Sequence, residues 1–188
     1  MEISAQLHVL QVGSGRPGVR STVTLVIDGE QRIVIDPGMA PSQTAISDPL
    51  LALGVGPAEV TDVIISHHHP DHTINVGMFP NARVQDHWAT YQFDIWDSRP
   101  AEGFLVSPAV QLWETPGHTP QDITTLVRTD GGLVACTHLW FYQSGPPEDP
   151  YATDSEALHA GRKRVLAVAD LIVPGHGPAF APDSSTPP

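Results

Sequence analysis

Val, Leu and Ile dominate residues 5–12 and 23–27, Asp28-Gly29 has the composition of a hairpin turn, and residues 31–35 return as a third apolar run that stops at "DPG". The pattern predicts a β-meander at the start of the chain. In "SDPLLALG", Asp48 is placed as an N-cap, Pro49 at the first helical position and Gly54 past the end, which predicts a short helix. "TDVIIS" (61–66) then reads as an apolar strand running straight into "HHHPDH". Beyond it, "TINVGMF" predicts a short helix, "ARVQ" a strand, and residues 87–103 an aromatic loop flanked by proline. Further strands are expected at 110–114, 122–128 and 133–137. Thr153 and Glu156 have the spacing of a capping box, and Leu158, Val165, Leu166 and Ala169 fall on one face of the helix that would follow. "LIV" makes a last strand before "PGHGP". Strands alternating with helices indicate a layered α/β fold. The reading is one domain over residues 1–180, with 181–188, Pro/Ser-rich, as a flexible tail.

Composition narrows the function. A chain of 188 residues builds one well-buried core. No apolar stretch approaches the ~18 residues of a membrane span, and the N-terminus lacks a basic region ahead of an apolar one. The chain therefore reads as soluble, unexported and cytoplasmic, without a membrane partner. Net charge −12 with only 9 Lys and Arg argues against nucleic acid as a partner, because affinity for phosphate backbones comes mainly from those cations. Arg162, Lys163 and Arg164 are the one basic cluster, and they lie in the helical pattern, where a solvated face explains them. A single cysteine, Cys136, excludes an internal disulfide and thiolate-rich zinc sites. Any metal must be held by histidine and carboxylate.

"SHHHPDH" (66–72) supplies such groups. In extended backbone, side chains two apart point the same way, so His67 and His69 can converge while His68 faces away. Asp71 and His72 fall where the next helix begins. Alone, Asp71 would read equally well as a helix cap. Two further histidines follow strands beside glycine: His118 in "ETPGHTP" and His176 in "VPGHGP". One strand-end histidine would be unremarkable; several, together with the cluster, favour a metal site.

These residues, HxHxDH (His67, His69, Asp71, His72), the "TPGH" turn (His118), the "PGHG" turn (His176) and "DPG" at Asp36, resemble the metallo-β-lactamase superfamily in order along nearly the whole chain. The resemblance implies a single-domain, four-layer αββα sandwich with a shallow site at one edge of its two sheets. His67, His69 and His118 would hold a first metal and Asp71, His72 and His176 a second. Zinc is the usual ion, one or two per chain, with iron or manganese in some members. The implied chemistry is hydrolysis by a metal-activated water, with Asp71 as its catalytic partner and Asp36 hydrogen-bonded behind the ligands.

One position departs from the family. Where its members carry an aspartate that bridges the two metals, this chain has His138, and a neutral imidazole offers one lone pair to one ion. His138 is read as a ligand of one metal; the alternatives are a hydrogen-bonded supporting role or a site that holds a single ion. With Asp71 the only carboxylate, the charge of the inner shell is roughly +2 against about +1 in the family, so anionic groups should be drawn in. The substrate is expected to be a small ester, lactone, thioester or amide, framed by the loop 87–103 and by "WFYQSGPPEDPY". His87, Trp88 and Trp140 are candidates for the wall, with core packing as their ordinary role; Trp96 lies in the same loop without an assigned role. The alternatives are a metal-dependent ribonuclease, towards which the resemblance to small members of the superfamily points, a mononuclear iron oxidoreductase of sulfur compounds, and a metal-binding protein without turnover.

Overall fold

The computed structural model describes residues 4–188. The expected meander forms as β1 (Gln6–Gln11), β2 (Val23–Asp28) and β3 (Gln31–Ile35). After α1 (Thr44–Ala52) come β4 (Asp62–Ile64), the single-turn α2 (Pro70–Thr73) and β5 (Arg83–Gln85), then the pair β6 (Ala89–Gln92) and β7 (Ile95–Ser98). The second half runs β8 (Leu105–Ser107), β9 (Val110–Glu114), β10 (Ile123–Thr129), β11 (Gly132–Thr137), α3 (Ser155–Leu166) and β12 (Leu171–Pro174). The strands make two sheets, β1-β2-β3-β4-β5-β6-β7 and β12-β11-β10-β9-β8. Pairing is parallel at β3–β4, β4–β5 and β11–β12.

Two-residue periodicity builds the layers. In the first sheet Val26, Ile33, Ile35 and Ile64 face inward against Val110, Ile123, Val127, Val134 and Val173 of the second. Their neighbours Val23, Leu25, Val34 and Val63 face outward, where Ile46 and Leu50 of α1 cover them. On the far side Leu126, Ala135 and Ile172 lie under Leu158 and Val165 of α3. Each strand is thus apolar on both faces, as burial on both sides requires, and the order of layers is helix, sheet, sheet, helix, the expected αββα sandwich. None of the helices is long and apolar enough to cross a membrane among the described residues.

Four expectations about elements need correction. Helix α1 starts at Thr44, not after Asp48, because Ile46 and Leu50, both fully buried, need a common helical face one turn apart. Asp48 is exposed mid-helix, and Pro49 lies inside it. The C-terminal end is as read: Gly54 has φ +76, and Gly54 N and Val55 N donate to Leu51 O and Leu50 O at 2.9 and 3.1 Å. Helix α3 is capped by Asp154, whose carboxylate accepts from Ala157 N at 2.9 Å, and not by Thr153, whose N–H is engaged by Gly117 O at 2.8 Å. Residues 87–103 are not a loop but contain the β6–β7 hairpin, with Phe93 at φ +53 in the turn. Phenylalanine there gives none of the glycine or asparagine signal on which hairpin recognition rests, and every residue of β7 is exposed, so no inward face shows. The short β8 was not expected either; it pairs with β9 across an irregularity in register.

Candidate metal centre

Every histidine singled out for metal binding lies just past a strand, at the same edge of the sandwich. β4 leads into His67, and the extended backbone of His69 caps the single turn α2, with Pro70 in its first position, so that Asp71 and His72 face the centre. His118 follows β9, His138 follows β11 and His176 follows β12. His68 turns away as the alternation requires, its Nε2 at 3.0 Å from Asp86. Close approaches here require glycine: a Cβ on Gly38 would lie 1.6 Å from Asp71 O, and one on Gly117 would lie 2.7 Å from Leu158 Cα.

The donors gather into overlapping triads. Those of His67, His69 and His118, of Asp71, His72 and His176, and of His67, His72 and His138 each lie within 4.8 Å of one another. His69 Nδ1 is 3.0 Å from both His67 Nε2 and His118 Nε2. Asp71 Oδ2 is 3.5 Å from His72 Nε2 and 3.6 Å from His176 Nε2.

The opposite ring nitrogens are held from behind. His72 Nδ1 donates to Asp36 Oδ2 at 2.9 Å, His118 Nδ1 to Asp149 Oδ2 at 2.7 Å, and His176 Nδ1 to Arg20 O at 2.9 Å. His67 Nδ1 donates to Ser66 Oγ at 3.1 Å, and that hydroxyl donates to Asp36 Oδ2 at 2.7 Å. Each bond fixes the proton on Nδ1 and leaves the Nε2 lone pair facing inward. The Nε2 lone pairs of His67 and His118 then both face His69 Nδ1, which has at most one proton to share. His72 Nε2 is buried with no hydrogen-bond partner. Converging lone pairs that outnumber the donors facing them fit a divalent cation at each of the two triads.

Titration behaviour follows from this packing. Burial holds His67 and His138 well below the ordinary histidine range, reinforced by neighbouring imidazoles, and burial also lowers His69 and His176. For His72 burial acts downward too, but Asp36, by charge and hydrogen bond, and Asp71 outweigh it and raise the ring. Burial pushes the Asp122 carboxyl up to about 6 even though Thr119 donates to it twice. The folded state therefore holds this proton to higher pH than the unfolded chain does. Its contribution to stability is present in full below about pH 4 and is lost as pH rises through 6, on the order of 3 kcal/mol in all. In urea unfolding of metal-free protein, Asp122→Asn should gain about 1–2 kcal/mol on wild type between pH 5 and 7. Parallel curves would show that the carboxyl is ionised throughout.

A cleft of about 1060 Å³ opens over the cluster. His69, Asp71, His118, His138 and His176 reach it from the floor, the segment Gly13–Arg16 and Val19 from one side, and Phe141, Tyr142 and Tyr151 from the other. The stretch "WFYQSGPPEDPY" does form a wall, as expected. The loop 87–103 does not: its hairpin lies at the far edge of the first sheet, and His87, Trp88 and Trp96 line nothing in the cleft. Trp88 packs beside His68 and Trp96 against Tyr91. Trp140 is fully buried among Leu139, Leu158 and Val165 under α3, so its role is core packing. Sequence reasoning missed Asp149, Asp122 and the Arg20 carbonyl. Asp149 alone left a signal, a carboxylate between prolines in "PEDPY", and nothing local pairs it with His118.

Comparison with known proteins agrees with this geometry. The sequence pattern described as "Metallo-beta-lactamase superfamily" matches residues 16–178. Metallo-beta-lactamase domain-containing protein 1 of Xenopus laevis is 34% identical over 167 residues, covering 85% of this chain and 71% of that protein. The human protein of the same name is 35% identical over 160 residues, 79% of this chain and 59% of its own length. Among solved structures, a putative metallo-beta-lactamase from Thermotoga maritima superposes with a TM-score of 0.76 at 23% identity, over 95% of this chain and 100% of the other. An N-acyl homoserine lactone hydrolase, solved with its product at the catalytic metal centre, gives 0.68 at 19% identity over 94% of each chain. A protein crystallised in a di-iron-bound form gives 0.68 at 22% identity over 91% of this chain and 94% of the other. At such identities the structures speak for the fold alone, but the sequence match spans most of the chain, and the chain belongs to the metallo-β-lactamase superfamily of metal-dependent hydrolases.

Proposed function

We propose that the chain is a hydrolase that uses a metal-activated water on a small ester, lactone, thioester or amide. The observation that carries this reading is the pair of triads at the floor of the cleft, with the backing hydrogen bonds turning their lone pairs inward. His67 Nε2, His69 Nδ1 and His118 Nε2 would hold one ion, and Asp71, His72 and His176 a second, with His138 beside both. Zinc suits this nitrogen-rich donor set, and iron or manganese is accommodated by imidazole with carboxylate. A divalent ion bound there supplies a Lewis acid that brings water to a pKa of about 7 and polarises the scissile carbonyl.

The chain's own residues do the rest. Asp71, partly exposed in the cleft floor, is proposed to orient the attacking water and take its proton. Asp36 and Asp149 keep His72 and His118 in the tautomer that presents Nε2. Phe141, Tyr142 and Tyr151 would receive an apolar substituent, and Arg16, among the described residues the one Lys or Arg on the cleft wall, an anionic end. A single arginine in the wall and a net charge of −12 favour a small substrate over RNA.

The test is a panel of lactones, thioesters, aryl esters and β-lactams, with single-stranded RNA as a separate arm. Turnover of at least one small substrate is expected, lost on chelation and restored by zinc, iron or manganese. Turnover of RNA alone would replace the proposal by a nuclease. Full metal occupancy with no turnover in either arm would leave a metal-binding protein.

A further inference from the structure

The proton on His138 is assigned by its neighbours. His176 Nδ1 faces Arg20 O at 2.9 Å, and a carbonyl only accepts, so the His176 proton sits on Nδ1 and its Nε2 is a lone pair. His138 Nε2 lies 3.0 Å from that lone pair. Two nitrogens in such contact need one proton between them, and His138 must supply it. His138 Nδ1, buried without a partner, agrees. As a bare lone pair it is tolerated, whereas a buried N–H without an acceptor is rare and costly. The ring is hemmed in: a Cβ on Gly175 would lie 2.4 Å from its Cδ2, and Phe141 lies 4.9 Å away, centroid to centroid.

We infer that His138 is a positioning residue that makes the two triads unequal, holding the one free lone pair of His176 in a hydrogen bond that a second ion must break. The first triad holds an N–H···N bond of its own, from His69 Nδ1 to His67 or His118, but the exposed His69 ring can carry its proton on Nε2 instead, whereas buried His138 has no acceptor at Nδ1 to make the same exchange; the first triad therefore fills first, and the chain is mononuclear when metal is limiting. Where a bridging carboxylate would draw a second cation in, this imidazole donates a proton to one of the ligands that cation needs. The inference rests on the reading of the cluster as a metal centre and adds the order in which it loads.

Two measurements on the full chain test it, neither of them activity. In metal-free protein, two-bond proton–nitrogen correlation of the imidazoles should show His138 protonated on Nε2 and His176 on Nδ1; His138 protonated on Nδ1 overturns the inference. In zinc titrations followed calorimetrically, wild type should bind in two separated steps. His138→Leu, which removes the donor, should tighten the second step about tenfold, the factor an ordinary net hydrogen bond represents, and leave the first unchanged. His138→Gln, whose amide can still donate, should keep the wild-type separation, which guards against a folding defect in the leucine variant. A second step that is unchanged or weaker in His138→Leu overturns the inference, the weaker result marking His138 as a ligand. Two-step binding with the predicted tautomers and no hydrolysis of any substrate would sink the hydrolase reading alone.

Discussion

Asp36→Ala is expected to destabilise the protein by about 3–5 kcal/mol and to weaken metal binding at the second triad by at least about tenfold. Three donors converge on this carboxylate: Ser66 N and Ser66 Oγ, each at 2.7 Å, and His72 Nδ1 at 2.9 Å. Alanine would leave the Ser66 amide and the His72 ring N–H buried and unpaired, at a cost of about 1–3 kcal/mol each. Asp36 also sits at φ +51, in the left-handed region, where alanine is strained by about 1 kcal/mol more. His72 is fully buried, so the orphaned nitrogen gains nothing from solvent.

Asp36→Asn separates stability from metal binding. Asparagine tolerates the left-handed backbone, and its carbonyl still accepts from Ser66 N. Its NH₂, however, presents a donor to His72 Nδ1, which then must accept, and the ring proton moves to Nε2. A protonated Nε2 cannot ligate. The asparagine variant should therefore melt much closer to wild type than the alanine variant and still lose the second zinc, read by chelator competition. Retention of both ions in Asp36→Asn would mean that Asp36 does not set the tautomer of His72.

The contrast between what was and was not legible in the sequence has a physical basis. His67, His69, Asp71 and His72 were legible because their spacing is local: alternation in the stretch that follows β4 and the onset of α2 fix their directions within six residues. His118 and His176 were legible through the glycine turns that present them. Asp149 was not, because its meaning comes from His118, 31 residues away with β10 and β11 between them, and only the packed fold brings the two together. The β6–β7 hairpin failed for a related reason: its turn residue is Phe93 and its outer strand is exposed, so it is held by pairing with its neighbour and carries no periodicity of its own. The capping of α3 failed by one residue because Thr153 is spent on Gly117 O. Local chemistry was readable, and long-range partners were not.

The basic run 162–164 shows the same limit most sharply. It reads as a solvated helix face, and Lys163 and Arg164 are indeed exposed, yet Arg162 is fully buried. Among the described residues its guanidinium has no carboxylate partner within bonding distance; it donates instead to Leu139 O at 2.8 Å, Pro147 O at 2.6 Å and Pro146 O at 2.8 Å. These carbonyls bracket the segment that carries Phe141 and Tyr142 into the cleft, and two residues beyond Pro147 lies Asp149, which holds His118. Arg162 thus ties one wall of the cleft and one backing carboxylate to α3. Arg162→Met keeps most of the volume and removes the fork, stranding up to three carbonyls and costing about 3–5 kcal/mol. Arg162→Lys keeps the charge, but a single ammonium cannot span three acceptors in a fixed fan, so it should recover less than half of that loss. Because the wall moves while the triads keep their strand-end anchors, KM should rise more than kcat falls once a substrate is in hand. Equal losses in kcat and kcat/KM with wild-type stability would place Arg162 in the chemistry, whereas a methionine variant as stable as wild type, with unchanged kcat and KM, would show that the three carbonyls find other donors and that the wall stands without it.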